Sequence, residues 1–334
     1  MSHDAPLRPP GLRRVGGCWL DQRGEPVGGD TLARLKRLTI PPAWTHVWAD
    51  PDPGAALQAV GQDAKGRTQY RYHPDAVAAR ARDKFEHVAR FAEVLPQLRS
   101  AAQTGLAGTG LGRERVLGAC VRLLERGFFR VGNQQYARED HTYGLTTLQR
   151  TQVRVRGQAL AFDYIAKEHL HRVVEVRDPQ AAAVVRALLR RREESAALLA
   201  WIAGPDRWVH VSSAHVNGYV HTVAGIDASA KSFRTWAGTV LAAAALGGAD
   251  LTGLARTNAR SPENAAVQAT SKLLGNTPSV ARASYIHPAV LSAAKDGRTV
   301  HDDLAAAAER VGSDRLAAVW TDARLQSAVR RLLP

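Results

Sequence analysis

The stretch TQYRYHPDAVAARARDKF, residues 68–85, decides the fold class because the sequence changes character within it. Residues 68–72 are rich in Thr and Tyr, which favour a strand, whereas residues 75–85 have the alanine-rich composition of a helix. Pro74 stands between them, and proline suits the first turn of a helix. We therefore expect a sheet to end and a helical region to begin here.

The same contrast extends in both directions from this stretch. Upstream, Gly and Pro separate short β-prone runs such as residues 45–48. Downstream, apolar residues recur at helical spacing, and Ser, Thr or Asp followed by Pro marks several helix starts. The pattern predicts an α+β protein with a small β-rich N-terminal domain, residues 1–76, and a mainly helical domain, residues 77–334.

Within the helical domain, three short β-prone runs predict a three-stranded sheet at residues 152–156, 160–165 and 173–176. A glycine-rich segment, residues 105–112, predicts a connection and lacks the Gly-Lys-Ser/Thr ending of a P-loop. The predicted helices lie at residues 75–85, 91–101, 178–201, 213–223, 229–246 and 261–274, and from residue 302 onward. A further amphipathic helix ends at Gly127, and another, which opens at Thr277-Pro278, carries Tyr285.

The charge of the chain indicates a polyanionic partner. Lys and Arg number 45 against 31 Asp and Glu, a formal net charge of +14. Basic side chains that neutralise phosphates gain free energy by releasing condensed counterions, which makes nucleic acid the leading partner. The two cysteines, Cys18 and Cys120, form no ligand pair, and no apolar run is long enough to span a bilayer. We expect a cytoplasmic protein without a membrane partner.

Tyr285 is a candidate nucleophile toward a DNA phosphodiester, because separated Arg and Lys residues precede it. Attack on a phosphodiester forms a five-coordinate phosphorus with extra negative charge, which guanidinium and ammonium groups stabilise when no metal does. A phenol has an ordinary pKa of about 10, so neighbouring cations also help it to ionise. Arg130, Lys167 and Arg234 are the candidate cations.

Several ordered motifs then make the chain recognisable: it resembles the small, poxvirus-like bacterial branch of the type IB DNA topoisomerases over most of its length. The motifs occur in the order and at the spacing of that family. They are IPPAW at residues 40–44, KGRTQYRY at 65–72, FFRVG at 128–132, YGLTTL at 143–148, KSFRTW at 231–236 and the segment 276–285.

The resemblance implies a role for each catalytic candidate. Tyr285 attacks the scissile phosphorus and forms a 3′-phosphotyrosyl link, which releases a 5′-hydroxyl. Arg130 and Arg234 bind the nonbridging oxygens in the transition state, and Lys167 is the general acid that protonates the leaving 5′-oxygen.

Two further positions belong to this implied site. Lys231, three residues before Arg234, shares a helical face with it and assists the proton transfer. Asn276 stands where poxvirus members carry histidine, nine residues before the tyrosine. Asn donates a hydrogen bond to a phosphate oxygen but supplies no titratable charge.

The resemblance also implies a set of DNA-contacting residues. We expect residues 65–72 to be extended, so that one face presents basic and aromatic groups to a groove. A solvent-exposed edge strand with aromatic packing is the competing interpretation for Tyr72. The DNA-contacting candidates are Lys65, Arg67, Gln69, Tyr70, Tyr72 and Tyr136.

The function implied is relaxation of supercoiled duplex DNA by a monomeric, nucleoid-associated enzyme whose two domains clamp the duplex. One strand is cleaved, the free 5′ end rotates, and the strand is religated. The phosphotyrosine link conserves the bond energy, so no ATP, other nucleotide cofactor or divalent metal is required.

Two alternative functions stay open. A tyrosine recombinase or integrase uses the same bond chemistry, although it ordinarily has His-x-x-Arg where this chain has Lys231-x-x-Arg234. A noncatalytic DNA-binding protein predicts binding without a covalent adduct. Taken singly, Arg130 also fits a residue that caps backbone carbonyls, Arg234 a helix-surface charge, and Tyr285 a core residue with a satisfied hydroxyl.

Overall fold

The computed structural model describes residues 10–205, 207–249, 259, 261–311 and 322–334. The chain divides into two compact units, residues 1–85 and 86–334. The division lies inside one helix, Pro74–Ala107. The predicted domain boundary at residues 76 and 77, and the DNA-binding role of the first domain, stay predictions.

The first unit is built on an antiparallel sheet of five strands in the order β2-β1-β3-β4-β5. Between the first two strands, Gly16 and Gly17 have φ angles of 56° and 86°. Such a pair of positive φ angles is the requirement of a tight hairpin turn, which glycine meets without steric cost. The elements are β1 (Leu12–Val15), β2 (Cys18–Leu20), α1 (Gly29–Arg37), β3 (Thr45–Ala49), β4 (Leu57–Gln62) and β5 (Thr68–Tyr72).

The core of this unit lies between the sheet and α1. Leu35 of the helix is 2% exposed and packs with buried residues of the strands, among them Trp19, Val47 and Ala59. Apolar residues reach this core from α1 at helical spacing and from the strands at alternate positions. The predicted β-rich character of the N-terminal region is confirmed in the described residues.

The second unit is mainly helical and contains a three-stranded antiparallel sheet in the order β6-β7-β8, together with a two-stranded ribbon, β9-β10. Its strands are β6 (Val153–Arg156), β7 (Ala159–Ala166), β8 (Leu170–Arg177), β9 (Ala200–Ile202) and β10 (Trp208–His210). Its helices are α2 (Pro74–Ala107), which begins in the first unit, α3 (Arg113–Gly127), α4 (Gln134–Glu139), α5 (Pro179–Leu189), α6 (Ser213–Ala224), α7 (Ala230–Leu246), α8 (Pro262–Leu274), α9 (Pro278–Ser284), α10 (Pro288–Lys295), α11 (His301–Val311) and α12 (Ala323–Arg331).

Three predicted helices differ from the observed ones. The helices expected at residues 75–85 and 91–101 are one continuous helix of 34 residues. The helix expected at residues 178–201 ends at Leu189, and Trp201 lies in β9. The side chain of Arg191 turns back to the carbonyl oxygens of Leu188 and Leu198, which holds the chain in a loop where the helix was expected.

Helix α7 is the centre of the second unit. Fourteen of its 17 residues are buried, and they include Ser, Thr and Gly besides apolar residues. Small side chains allow neighbouring backbones to approach closely, and this helix contacts α3, α8 and α10.

Among the described residues, no helix combines the length and the apolar character needed to cross a membrane. The fold class is α+β, as expected.

Candidate active site

Tyr285 ends α9 and is seated against α7. It is the C-cap residue of the helix rather than part of it, and its backbone N–H donates to Ala281 O. The hydroxyl of Thr239 lies 3.3 Å from Tyr285 O and donates to it. Gly238 lies so close that a Cβ atom there would stand 2.5 Å from the same oxygen. The backbone of the candidate nucleophile is therefore fixed by two adjacent residues of one buried helix.

Arg234 is the most deeply buried cation at this site, with 3% of its surface exposed. One guanidinium nitrogen donates to Phe128 O, and the other donates to Leu274 O at 2.9 Å. The guanidinium carbon lies 5.0 Å from the centre of the Tyr285 ring. Burial lowers the pKa of Arg234, and the charge of Tyr285 opposes this shift. The interpretation of Arg234 as a helix-surface charge is wrong.

Arg130 and Asn276 meet between α8 and α9. Helix α8 ends at Gly275, whose φ of 64° is the left-handed conformation that glycine favours at this position. Arg130 Nη2 donates to Gly275 O at 3.0 Å and to Asn276 Oδ1 at 2.6 Å. Arg130 therefore does bind a helix-end carbonyl, and it also fixes the direction of the Asn276 side chain.

Two buried donors of this cluster have no hydrogen-bond partner among the described residues. They are Nε of Arg234 and Nδ2 of Asn276. Buried donors are nearly always paired, and an unpaired one costs free energy. Because Oδ1 of Asn276 accepts from the arginines, the opposite atom of the same amide is presented as a donor. An acceptor such as a phosphate oxygen would satisfy these groups.

The electrostatics favour ionisation of Tyr285. Burial would raise the pKa of its phenol, but the charge and the hydrogen bond of Arg234 act in the opposite direction, as do the charges of Arg130 and Lys231. The pKa of Tyr285 lies below its ordinary value as a result. A phenol with a lowered pKa is a better nucleophile near neutral pH.

The two candidate lysines lie at the surface. Lys167 occupies the turn between β7 and β8 and is exposed, with no hydrogen bond or ion pair to a described residue. The two residues after it, Glu168 and His169, have φ angles of 66° and 54°, which lets a three-residue loop join the strands. Lys231 lies in the first turn of α7 and is exposed, and its charge reaches Tyr285.

The DNA-contacting candidates of the first unit do not form a single strand. Strand β5 begins at Thr68, whereas Lys65 and Arg67 belong to a turn organised by Asp63. Gln69 also donates to Asp63. The expectation that residues 65–72 are extended with one common face is wrong, because the carboxylate of Asp63 accepts three hydrogen bonds from the turn and bends the chain there.

The aromatic candidates are arranged as the alternation predicts. Tyr70 and Tyr72 lie on the same face of β5 with their ring centres 6.0 Å apart, and Tyr70 is 48% exposed. Arg80 covers the Tyr72 ring at 3.8 Å. Gln69 points to the opposite face, since side chains alternate along a strand. In the second unit, Tyr136 lies on α4 and is 37% exposed.

Three residues of the site were missed from the sequence. Arg172 donates to the carbonyl oxygens of Lys272 and Leu273, next to the candidate site. Tyr164 lies opposite Arg172 in the sheet, and Gly238 seats Tyr285. A signal for Arg172 was present, because it lies just before the strand predicted at residues 173–176 and at the same parity as Val174 and Val176. A charged residue at an inward-facing position is a candidate for a specific role.

Comparisons with known proteins point to the same family along most of the chain. A family model described as the catalytic core of eukaryotic DNA topoisomerase I matches residues 74–309. A second model, described as the N-terminal domain of bacterial DNA topoisomerase IB, matches residues 17–63. A protein of Acanthamoeba polyphaga mimivirus named DNA topoisomerase 1B is 26% identical over 275 residues, which cover 78% of this chain and 79% of the relative.

Proposed function

The chain belongs to the type IB DNA topoisomerase family, and from the geometry of its arginine cluster we propose which residues carry the reaction. The enzyme relaxes supercoiled duplex DNA by transient cleavage of one strand and religation. The observation that carries the assignment of residues is the cluster in which Arg130 and Arg234 both donate to Asn276 Oδ1. Arg234 also lies against the Tyr285 ring, and the charges of both arginines act to lower the pKa of its phenol.

Tyr285 is the nucleophile of this proposal. Its phenolate oxygen attacks the scissile phosphorus, the bond from phosphorus to the 5′-oxygen breaks, and a 3′-phosphotyrosyl bond takes its place. Lys167 delivers a proton to the leaving 5′-oxygen. Religation reverses each step, with the 5′-hydroxyl as nucleophile and Tyr285 as leaving group. Each step exchanges one phosphoester bond for another, so the phosphate stays a diester in the substrate, the intermediate and the product, and no ATP or other nucleotide is consumed.

The remaining groups bind the transition state. Arg130 and Arg234 donate to the nonbridging oxygens, and Asn276 adds a hydrogen bond through Nδ2. Support comes from two buried donors that have no partner in the described part of the chain, Nε of Arg234 and Nδ2 of Asn276. A preorganised donor is worth roughly 3 to 4 kcal/mol in a transition state of this kind. Lys231 lowers the pKa of Tyr285 by its charge and assists the proton transfer.

DNA binding is assigned to both parts of the chain. The N-terminal domain, residues 1–76, offers Lys65, Arg67, Gln69, Tyr70 and Tyr72, and the catalytic domain, residues 77–334, offers Tyr136. The exposed aromatic rings supply stacking and groove contacts, while the basic side chains contact DNA phosphates. In the complex the two domains clamp the duplex. The enzyme acts as a monomer on the nucleoid in the cytoplasm.

Relaxation of negatively supercoiled plasmid in EDTA without ATP tests this function. A ladder of relaxed topoisomers is expected from the wild type. Tyr285→Phe should bind DNA and relax none of it, whereas the matched variant Tyr219→Phe should relax normally, because Tyr219 lies on α6 beside Glu114 rather than among the catalytic arginines. Full relaxation by Tyr285→Phe would remove this residue from the mechanism.

Adduct formation and strand exchange separate the two alternatives. A noncatalytic DNA-binding protein gives no ladder and no covalent adduct after denaturation. A recombinase gives site-specific strand exchange between two duplexes. Mass spectrometry of peptides from trapped enzyme–DNA adducts should place the DNA on Tyr285, and attachment at another residue would overturn the assignment.

A further inference from the structure

Arg172 is an inward-facing charge on the hairpin that carries Lys167. It alternates along β8 with the exposed residues His171 and Val173. It stands directly opposite Tyr164 on β7, so the two side chains share one face of the sheet. Burial raises the pKa of the Tyr164 phenol, and the adjacent Arg172 guanidinium opposes this shift through its charge and a hydrogen bond.

From this position Arg172 reaches the end of α8, 100 residues further along the chain. Nη2 donates to Leu273 O at 2.9 Å, and Nη1 donates to Lys272 O at 3.3 Å. The contact is close, because a Cβ atom at Gly275 would stand 2.6 Å from Nη1 of Arg172. Arg172 therefore packs against the link that contains Asn276.

Four successive carbonyl groups at this helix end are shared among three arginines. Arg172 donates to the carbonyl oxygens of residues 272 and 273. Arg234 donates to that of residue 274, and Arg130 donates to that of residue 275. The last carbonyls of a helix have no intrahelical partner and carry a partial negative charge, so cations bind there favourably. Of the three arginines, Arg172 is the one that belongs to the β7–β8 hairpin.

Lys167 and Arg172 lie close together on the β7–β8 hairpin. Lys167 follows Ala166, which pairs with Leu170 as the last rung of the hairpin, and Arg172 lies two residues beyond that rung. The proposed function assigns the general acid to the hairpin and the nucleophile to the segment after α8. On that basis, we propose that Arg172 is a positioning residue that couples the hairpin bearing Lys167 to the segment bearing Asn276 and Tyr285.

The chemistry of the side chain suits this task. A guanidinium group presents five N–H donors in a rigid plane, and that of Arg172 binds two carbonyls while its charge acts on the Tyr164 phenol. An ammonium group of lysine is a single flexible point charge and does not span them. Arg172 touches no reacting atom, so its loss acts through the placement of Lys167 and of the nucleophile segment.

Single-turnover cleavage with two leaving groups tests the coupling. The substrates are identical duplexes, at a site mapped with the wild type, that carry either an ordinary phosphodiester or a 5′-bridging phosphorothiolate. The sulfur leaving group needs no proton, so the placement of Lys167 does not affect it. Arg172→Ala should slow cleavage of the ordinary linkage by about 100-fold, since displacement of catalytic groups by about 1 Å has effects of this size. The loss at the phosphorothiolate should be about 10-fold smaller.

The controls separate this proposal from the proposed function. Arg177→Ala removes an arginine of the same strand whose side chain is 79% exposed and pairs with Glu175, and its cleavage rates should match the wild type. If the wild type forms no adduct at Tyr285, the proposed function fails. If the wild type forms the adduct but Arg172→Ala cleaves both substrates at wild-type rates, or loses the same factor on both, the coupling is refuted.

A second variant guards against unfolding. If thermal melts show that Arg172→Ala is unfolded at the assay temperature, the two substrates are compared with Arg172→Lys. That variant keeps the positive charge but lacks the planar guanidinium group. Its cleavage rate should therefore again fall more at the ordinary linkage than at the phosphorothiolate. Equal losses on the two linkages would refute the coupling for this variant as well.

Discussion

Replacement of Gly238 by alanine tests whether close packing on α7 places the nucleophile. A Cβ atom at residue 238 would stand 2.5 Å from Tyr285 O and 2.8 Å from Tyr285 Cβ, whereas ordinary contact begins at 3.4 Å. The difference, 3.4 − 2.5 = 0.9 Å, is the distance by which the two backbones must separate. Neither atom belongs to the end of a flexible side chain, so Tyr285 itself must move.

The expected effect is large on the rate and small on stability. Misplacement of a reacting group by about 1 Å costs about 100-fold in rate. Alanine in place of glycine inside a helix contributes about 1 kcal/mol, which offsets part of an overpacking cost of about 1 to 3 kcal/mol. The net loss in the free energy of unfolding should therefore not exceed about 2 kcal/mol, so the variant stays folded.

Gly218 supplies the matched control. It lies inside α6, and a Cβ atom there would meet no atom within 4 Å. Gly218→Ala should gain about 1 kcal/mol in the free energy of unfolding and leave the cleavage rate unchanged. Both variants are measured by single-turnover cleavage of a duplex whose product strand dissociates, and by urea unfolding. If Gly238→Ala cleaves as fast as Gly218→Ala, the close contact between Gly238 and Tyr285 does not position the nucleophile.

Three further predictions concern the pH dependence, the phosphate contact and the fold. Cleavage needs the phenolate, so its rate should rise with pH through the lowered pKa of Tyr285, and Lys231→Gln should move that rise to higher pH; an unmoved profile would exclude a charge effect of Lys231. Asn276→Ala should slow single-turnover cleavage about 100-fold, because one donor to the phosphate is lost. Asn276→Asp should cleave more slowly still, because it adds a negative charge beside the phosphate. An Asp variant that cleaves faster than the Ala variant would contradict the donor role. Asp178 caps α5 through two backbone N–H groups and pairs with Arg126, so Asp178→Ala should lose about 2 kcal/mol in urea unfolding with plasmid relaxation unchanged; wild-type stability would show that the cap contributes nothing.

The predictions from sequence failed where a charged side chain bound groups only a few residues away along the chain. The helix expected to reach Trp201 stops at Leu189, because Arg191 binds nearby carbonyls that a local pattern does not reveal. The extended segment expected at residues 65–72 is interrupted, because Asp63 organises a turn around Lys65 and Arg67. In both cases one ionised side chain replaced regular backbone pairing.

The sequence by itself determined the order of sheet and helices, the basic charge and the chemical identity of the candidate groups. These follow from local spacing, turn residues and composition, which are properties of neighbours along the chain. The roles of Arg234 and Asn276 came from the resemblance to a known family, which rests on ordered motifs along the chain. No pattern of that kind gave the partner of any arginine.

Only the tertiary structure decided how the site is held together. Arg130 and Asn276 are 146 residues apart, Arg234 and Leu274 are 40 apart, and Arg172 reaches a helix end 100 residues away. Each arginine binds a carbonyl that the end of α8 leaves without an internal partner, and each is brought there by the packing of a different element. A helix end recruits whichever cation the folded chain brings within hydrogen-bonding distance, and that distance exists only after folding.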